Sequence, residues 1–127
     1  MTLVAIVAVL ALAEYLVFVV MAGQARGRYG VAAPATSGHP IFERHFRVQQ
    51  NTVEQLVIFL PALFLFAHYA SEPGAAALGI VFIIGRALYA RGYVIDPAKR
   101  GPGFLLTVVS NVLLMLGGIV GAALAHV

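Results

Sequence analysis

An all-α membrane protein, built as a four-transmembrane-helix antiparallel bundle, is the fold class this sequence predicts, on three observations. The first is composition. Of 127 residues, 61% are hydrophobic and 10% charged, with a mean hydropathy of +0.95, whereas a soluble domain of this size needs far more polar cover. The second is run length: apolar runs cover Thr2 to Ala22, Thr52 to Ala70, Gly74 to Ala90 and Phe104 to Val127. These compare with the ~20 residues that cross a hydrocarbon core of ~30 Å. The third is charge placement, because with four alternating spans all eight Lys and Arg fall on one side.

The elements follow in chain order. The first run has no basic segment before it, meets its first charge at Glu14 and outlasts the apolar core of a signal peptide, so it reads as a retained anchor. Gly23 to Pro40, rich in glycine and proline, is the longest irregular piece. The second run is entered through "ERHFRVQQNTVEQ", Glu43 to Gln55. "SEPG", Ser71 to Gly74, is a tight turn. The third run is the shortest, and it qualifies as a span because neighbouring helices can shield Arg86. "DPAKRGPG", Asp96 to Gly103, breaks it from the fourth. Short connections favour antiparallel neighbours, so residues 1–127 are expected to form one domain, without repeats.

Cations set the expected orientation. Arg26, Arg28, Arg44 and Arg47 precede or open the second span, and Arg86, Arg91, Lys99 and Arg100 gather around the third connection. By the positive-inside rule both basic loops face the cytoplasm and both termini face outward. Short loops and the absence of a targeting signal point to a bacterial inner membrane. The net charge of +3 reads as topology plus an anionic ligand at one face. Nucleic-acid binding is excluded by the lack of a basic domain or recognition helix. There is no cysteine, and His39, His45, His68 and His126 have no metal-ligand spacing, so no metal is expected.

Polar residues enter the second span in a pattern. On a helix, Glu43, Arg47, Asn51 and Glu54 follow spacings of four, four and three and share a stripe, with Gln55 beside it. A charge at the bilayer centre costs roughly 2.5 to 3.5 kcal/mol on insertion scales, so the stripe is expected to face protein or water and to hold something polar. The plainer alternative makes Glu43 to Asn51 the overhang of a long second helix, laced by a Glu43–Arg47 pair. A second face, in "GRALYARGY", carries Arg86, Tyr89 and Tyr93. The tyrosines also fit an interfacial aromatic belt; Arg86 has three options, to snorkel, to meet Glu54 or to meet a ligand. "GAAALG" and "GGIVG" offer small-residue faces for contacts within the bundle or between subunits. Glu14 has no evident partner, with Asn111, Ser110 and a subunit contact all open.

Together "FERHFRVQQNTVE" and "GRALYARGYVIDPAKRGPG" resemble the MAPEG family, the membrane-associated proteins of eicosanoid and glutathione metabolism. That family holds the microsomal glutathione transferases and the leukotriene and prostaglandin synthases. The likeness covers essentially the whole chain. It implies a homotrimer of four-helix subunits, with glutathione bound between adjacent subunits near the cytoplasmic side by Arg26, Arg47, Asn51, Glu54, Arg86, Tyr89 and Tyr93. It also implies that Arg100 matches the arginine that activates the thiol. Two departures stand out: Gln55 replaces a tyrosine found in several relatives, and Pro61 falls further into the helix than the proline often seen there.

Residue types agree with that ligand. Glutathione carries two carboxylates, an ammonium and a thiol, and arginine forks suit carboxylates by donating two parallel hydrogen bonds. Glu54 suits the ammonium and Asn51 the peptide groups. A thiol of pKa ~8.5 is mostly protonated at neutral pH, and a neighbouring guanidinium favours the thiolate; Arg100 would act electrostatically, since arginine is no base at this pH. The expected function is a membrane-bound glutathione transferase, with a companion peroxidase activity. Its second substrate, a lipophilic electrophile or lipid hydroperoxide, would arrive from the lipid bilayer. The alternative is a non-catalytic lipid-binding or scaffold protein of the same fold. A transporter component lacks its usual inverted repeat and broken helices.

Overall fold

Four long helices take up nearly all of the chain. A computed structural model describes residues 1–127 as α1 (Thr2–Arg28), α2 (Pro40–Tyr69), α3 (Glu72–Ile95), a short 3-10 turn (Pro97–Arg100) and α4 (Gly101–His126). There are no strands, and all four helices are long and apolar enough to cross a membrane.

At the end that carries the basic loops each helix runs past its apolar run, α1 to Arg28, α2 from Pro40, α3 to Ile95 and α4 from Gly101, because hydropathy marks the edge of oil whereas capping marks the end of backbone hydrogen bonding. α2 begins at Pro40, where the His39 ring nitrogen accepts the Ile41 N–H at 3.1 Å. Its 30 residues extend about 45 Å at 1.5 Å per residue, so the polar stretch before Thr52 is a helical overhang. No Glu43–Arg47 pair laces it, since the single ion pair in the chain joins the Met1 amine to Glu72. The Glu43 carboxylate instead accepts the Gly38 N–H at 3.2 Å. The Ser71 hydroxyl caps α3 by accepting from Gly74 N–H at 3.1 Å, and Asp96 caps the 3-10 turn by accepting from Ala98 N–H at 3.1 Å. α2 continues through Pro61 without interruption.

α2 and α3 form the central pair, with α1 and α4 packed on opposite sides of it. In the half away from the basic loops, Val4, Val7, Ala8 and Ala11 of α1 bury against Leu56, Phe59, Leu63 and Phe82. Phe59 and Phe82 stack at 3.9 Å between ring centroids. The crossing of α3 and α4 needs glycine on both helices. A Cβ on Gly103 would run into the Tyr89 backbone, and one on Gly85 would sit 2.9 Å from the Leu106 Cβ. Gly117 and Gly121 face Phe66 and Tyr69, so the small-residue face of α4 packs within the bundle.

The two ends differ. Met1, the turn at Ser71 and His126 mark one end, while the loop from Tyr29 to His39 and the turn at Pro97 mark the other. At this basic end Arg44 donates to the Val94 and Ile95 carbonyls at 3.0 and 3.2 Å, satisfying the orphan carbonyls that terminate α3. Buried residues number 28 of 127, so most of the apolar side chains face outward. Leu16, Val57, Leu105 and Ile119 are each more than half exposed, as a lipid-facing girdle requires.

Candidate functional site

The polar side chains of α2 do not act as one stripe. Successive residues turn by about 100° around a helix, so Asn51 and Glu54 stand roughly 60° apart, with Gln55 further round on the inner side. The structure resolves that spread into two margins. Asn51 and Gln55 turn toward α3 and α4, whereas Glu43 and Glu54 lie exposed on the outer margin. Arg47, between them, is exposed and has no ion-pair partner within the chain.

Behind Asn51 lies Arg86, fully buried. It does not snorkel, and it does not meet Glu54. Its guanidinium donates to Asn51 Oδ1 at 2.8 Å, Thr52 Oγ1 at 2.9 Å and Thr107 Oγ1 at 3.3 Å, with its central carbon 4.3 Å from the centroid of the Tyr89 ring. One side chain of α3 thus ties α2, α3 and α4 together at a single level. Since the Asn51 oxygen is committed to Arg86, its amide N–H groups are what it has left to offer a ligand. Tyr89 is held between Arg86 and two rings, Tyr93 at 5.6 Å and Phe104 at 6.3 Å. The shielding that a short third span needs for Arg86 comes from α2 and α4.

In front of this layer opens a cavity of about 490 Å³ lined by Arg47, Asn51, Tyr89, Tyr93, Arg100 and Phe104. Two guanidiniums, two phenols, an amide and a phenyl ring converge from α2, α3, the 3-10 turn and α4. Arg100 reaches it from the 3-10 turn, where its Nη1 donates to the Pro97 carbonyl at 2.8 Å. This fixes the side chain while leaving other N–H donors unspent. The size falls within the range of small-molecule sites. The chemistry suits a ligand bearing carboxylates and a group that gains from nearby positive charge.

Five of the eight residues picked from the sequence therefore line one cavity: Arg47, Asn51, Tyr89, Tyr93 and Arg100. Arg86 stands directly behind it, in contact with Asn51 and Tyr89. Two lie apart within the single chain. Glu54 is on the outer surface, and Arg26 is turned into the basic loop, donating to the Ala35 and Val31 carbonyls at 2.7 and 3.3 Å and lying over the Phe42 ring. Gln55 accepts from the Asn111 amide at 3.2 Å, which spends its oxygen inside the bundle. Sequence reasoning missed Phe104, Thr52 and Thr107. The signal for Thr107 was its place on the face of α4 that also carries Asn111, four residues on.

Fold and cavity define a class: a four-helix membrane bundle with a cationic, tyrosine-walled pocket at one end. The MAPEG family model matches residues 4–120, and the chain belongs to that family. It is 49% identical over 115 residues to an uncharacterised protein of Synechocystis sp., covering 91% of this chain and 84% of the relative. With microsomal glutathione S-transferase 2 of Homo sapiens it shares 41% identity over 121 residues, covering 95% and 82%. With leukotriene C4 synthase of Bos taurus it shares 36% over 76 residues, covering 60% and 51%.

Proposed function

We propose that the protein is a membrane-embedded glutathione transferase, and that the cavity bounded by Arg47, Asn51, Tyr89, Tyr93 and Arg100 receives glutathione. The observation that carries the reading is the convergence of those five side chains from α2, α3 and the 3-10 turn. The similarity to microsomal glutathione S-transferase 2 supports it. Arg47, exposed and unpaired, is placed to take a glutathione carboxylate through a two-point contact. The Asn51 amide donates to a peptide carbonyl. Arg86 acts one layer back, by holding Asn51 and Tyr89.

Arg100 is the thiol-activating group in this reading. A guanidinium at the cavity rim stabilises the thiolate relative to the thiol, and a shift of about two pKa units corresponds to roughly 2.7 kcal/mol. The proton leaves to water at the open basic end, and the thiolate attacks the electrophilic carbon of a lipophilic substrate, expelling its leaving group. A lipid hydroperoxide is the second substrate class, giving peroxidase turnover at the same thiolate. No metal takes part in this scheme.

A homotrimer completes the site. Glu54 and Arg26 lie away from the cavity of their own chain, and in this reading exposed Glu54 on α2 meets the ligand's ammonium across a subunit boundary. The basic end then faces the cytoplasm of a bacterial inner membrane, with the termini outside. Calorimetry of the detergent-solubilised protein with glutathione, run beside conjugation of an aryl halide, tests the reading. Micromolar-to-millimolar binding with turnover is expected. Binding without turnover, or no binding, would reject the transferase reading and favour the non-catalytic lipid-binding or scaffold alternative.

A further inference from the structure

On the α1 side of the central pair, away from the cavity described above, a second groove opens at the basic end. It has two adjoining parts, since Met21 and His45 wall both. The inner part, about 360 Å³, is apolar and runs between Phe18 of α1, Val48 of α2 and Ala87, Ala90 and Val94 of α3. The outer part, about 440 Å³, lies between Gln24 and Arg28 of α1 and Ile41 of α2. Arg91 joins the wall of the inner part. Because successive helical residues point about 100° apart, α2 and α3 serve both hollows: Arg47 and Tyr89 line the cavity, Val48 and Ala90 the groove.

Of the eight Lys and Arg, six are placed elsewhere. Arg26, Arg44 and Arg100 donate to backbone carbonyls, and Arg86 donates to three side-chain oxygens. Arg47 lines the cavity, and Lys99 stands on the 3-10 turn. The two that remain, Arg28 and Arg91, both wall the groove and are exposed. Neither has an ion-pair partner, the single pair being that of Met1 with Glu72. No acidic residue lines either part of the groove. The acidic residues closest in sequence to its walls, Glu43 and Asp96, accept from the Gly38 and Ala98 N–H groups instead.

We propose that this groove binds one anionic phospholipid from the surrounding leaflet, with the headgroup at the rim walled by Arg28 and Arg91 and an acyl chain along the apolar inner part. Basic hollows between membrane helices at headgroup level suit such lipids, and a guanidinium fork matches a phosphate. Ile95, in the wall of the inner part, is 58% exposed, so the groove opens toward lipid. A zwitterionic lipid would bring a cation of its own to two unpaired guanidiniums. Free phosphate would leave the apolar part empty. The groove shares no side chain with the cavity, and the proposal stands apart from the glutathione reading.

The probe is dioleoylphosphatidylglycerol, titrated into the full chain in neutral detergent beside dioleoylphosphatidylcholine, with bound lipid counted by native mass spectrometry. One phosphatidylglycerol per chain is expected, held roughly tenfold more tightly than phosphatidylcholine. Absence of that preference would overturn the proposal. Joint Arg28→Gln and Arg91→Gln substitution is expected to bring the two lipids within about threefold of each other, at an unchanged melting temperature because both side chains are exposed. A preference that survives it would place the lipid elsewhere. Should the double variant not be recovered folded, the two single variants carry the same comparison. Lys99→Gln, outside the groove, is expected to keep the parent's preference; an equal loss there would reduce the effect to overall charge and reject a defined site. Ala87→Trp fills the apolar part and is expected to weaken phosphatidylglycerol about fivefold, whereas unchanged affinity would reject the acyl-chain placement. Excess inorganic phosphate is expected to leave the lipid bound, and displacement would make this a site for a free anion instead.

Discussion

Two hollows lie against the same pair of helices, α2 and α4, and they have opposite character. The cavity at the basic end, about 490 Å³, is walled by Arg47, Asn51, Arg100 and three rings. Toward the other end a cleft of about 660 Å³ is walled by Ile58, Pro61 and Leu65 of α2 and by Leu114, Met115 and Ile119 of α4. The positions are related by helical register. Ile58 stands seven residues, about two turns, beyond Asn51 on one face, and Leu114 stands the same distance beyond Thr107 on another helix. What changes between them is depth. Near the basic end polar groups keep access to water, whereas deeper in the span an unpaired one would face hydrocarbon.

Between the two hollows sits a polar partition: Arg86 with Asn51, Thr52 and Thr107, and one turn further in the Gln55–Asn111 pair. The division suits chemistry that joins a charged, water-borne reactant to an apolar, lipid-borne one. In the proposed reaction each reactant would meet a surface of its own polarity.

Breaking the partition has the largest expected effect. Arg86→Ala removes the donor shared by three oxygens and leaves the Asn51, Thr52 and Thr107 oxygens without it, so stability is expected to fall by about 3 kcal/mol or more. Thermal unfolding in detergent checks this, and a parent-like melting curve would show that the two hollows are kept apart by apolar packing alone. Arg100→Ala comes next. A roughly 100-fold fall in kcat with glutathione affinity changed less than about threefold is expected of an electrostatic group acting on the thiolate. Equal losses in both would make Arg100 a docking residue.

Smaller effects sharpen the same contrast. Arg47→Ala is expected to weaken glutathione binding about tenfold, some 1.4 kcal/mol, because Arg47 is exposed and its contact is screened; calorimetry reads it, and unchanged affinity would remove Arg47 from the site. Ala122 lines the apolar cleft, and filling that cleft with Ala122→Trp is expected to raise KM for an apolar electrophile by roughly threefold. Glutathione affinity should stay as it was. A change confined to glutathione would mean that the two hollows are not independent.

Much of this molecule was legible before any coordinate. Composition, the four apolar runs and the one-sided cations required a helical bundle in a membrane, because the backbone in hydrocarbon must satisfy its own hydrogen bonds. Spacing along α2 and α3 picked out Arg47, Asn51, Tyr89 and Tyr93, which line the cavity together. Spacing also grouped Glu54 with them, and within the single chain it lies on the outer surface. A row at intervals of three and four is wide enough that one margin faces inward while the other faces outward, and the position of α3 decides which.

What the chain alone determined, then, is which groups are too polar to face lipid and so need company. Which company each finds was decided by packing. Arg86 had three readings as a sequence position, and the close crossing of α3 and α4 at Gly85 and Gly103 brings Thr107 beside it and closes it from water and lipid alike. Gln55 was drawn to Asn111, because α4 packs on α2 across the central pair from α1. Periodicity fixes the direction of a side chain around its own axis. The identity of the neighbouring helix on that side is a property of the whole bundle.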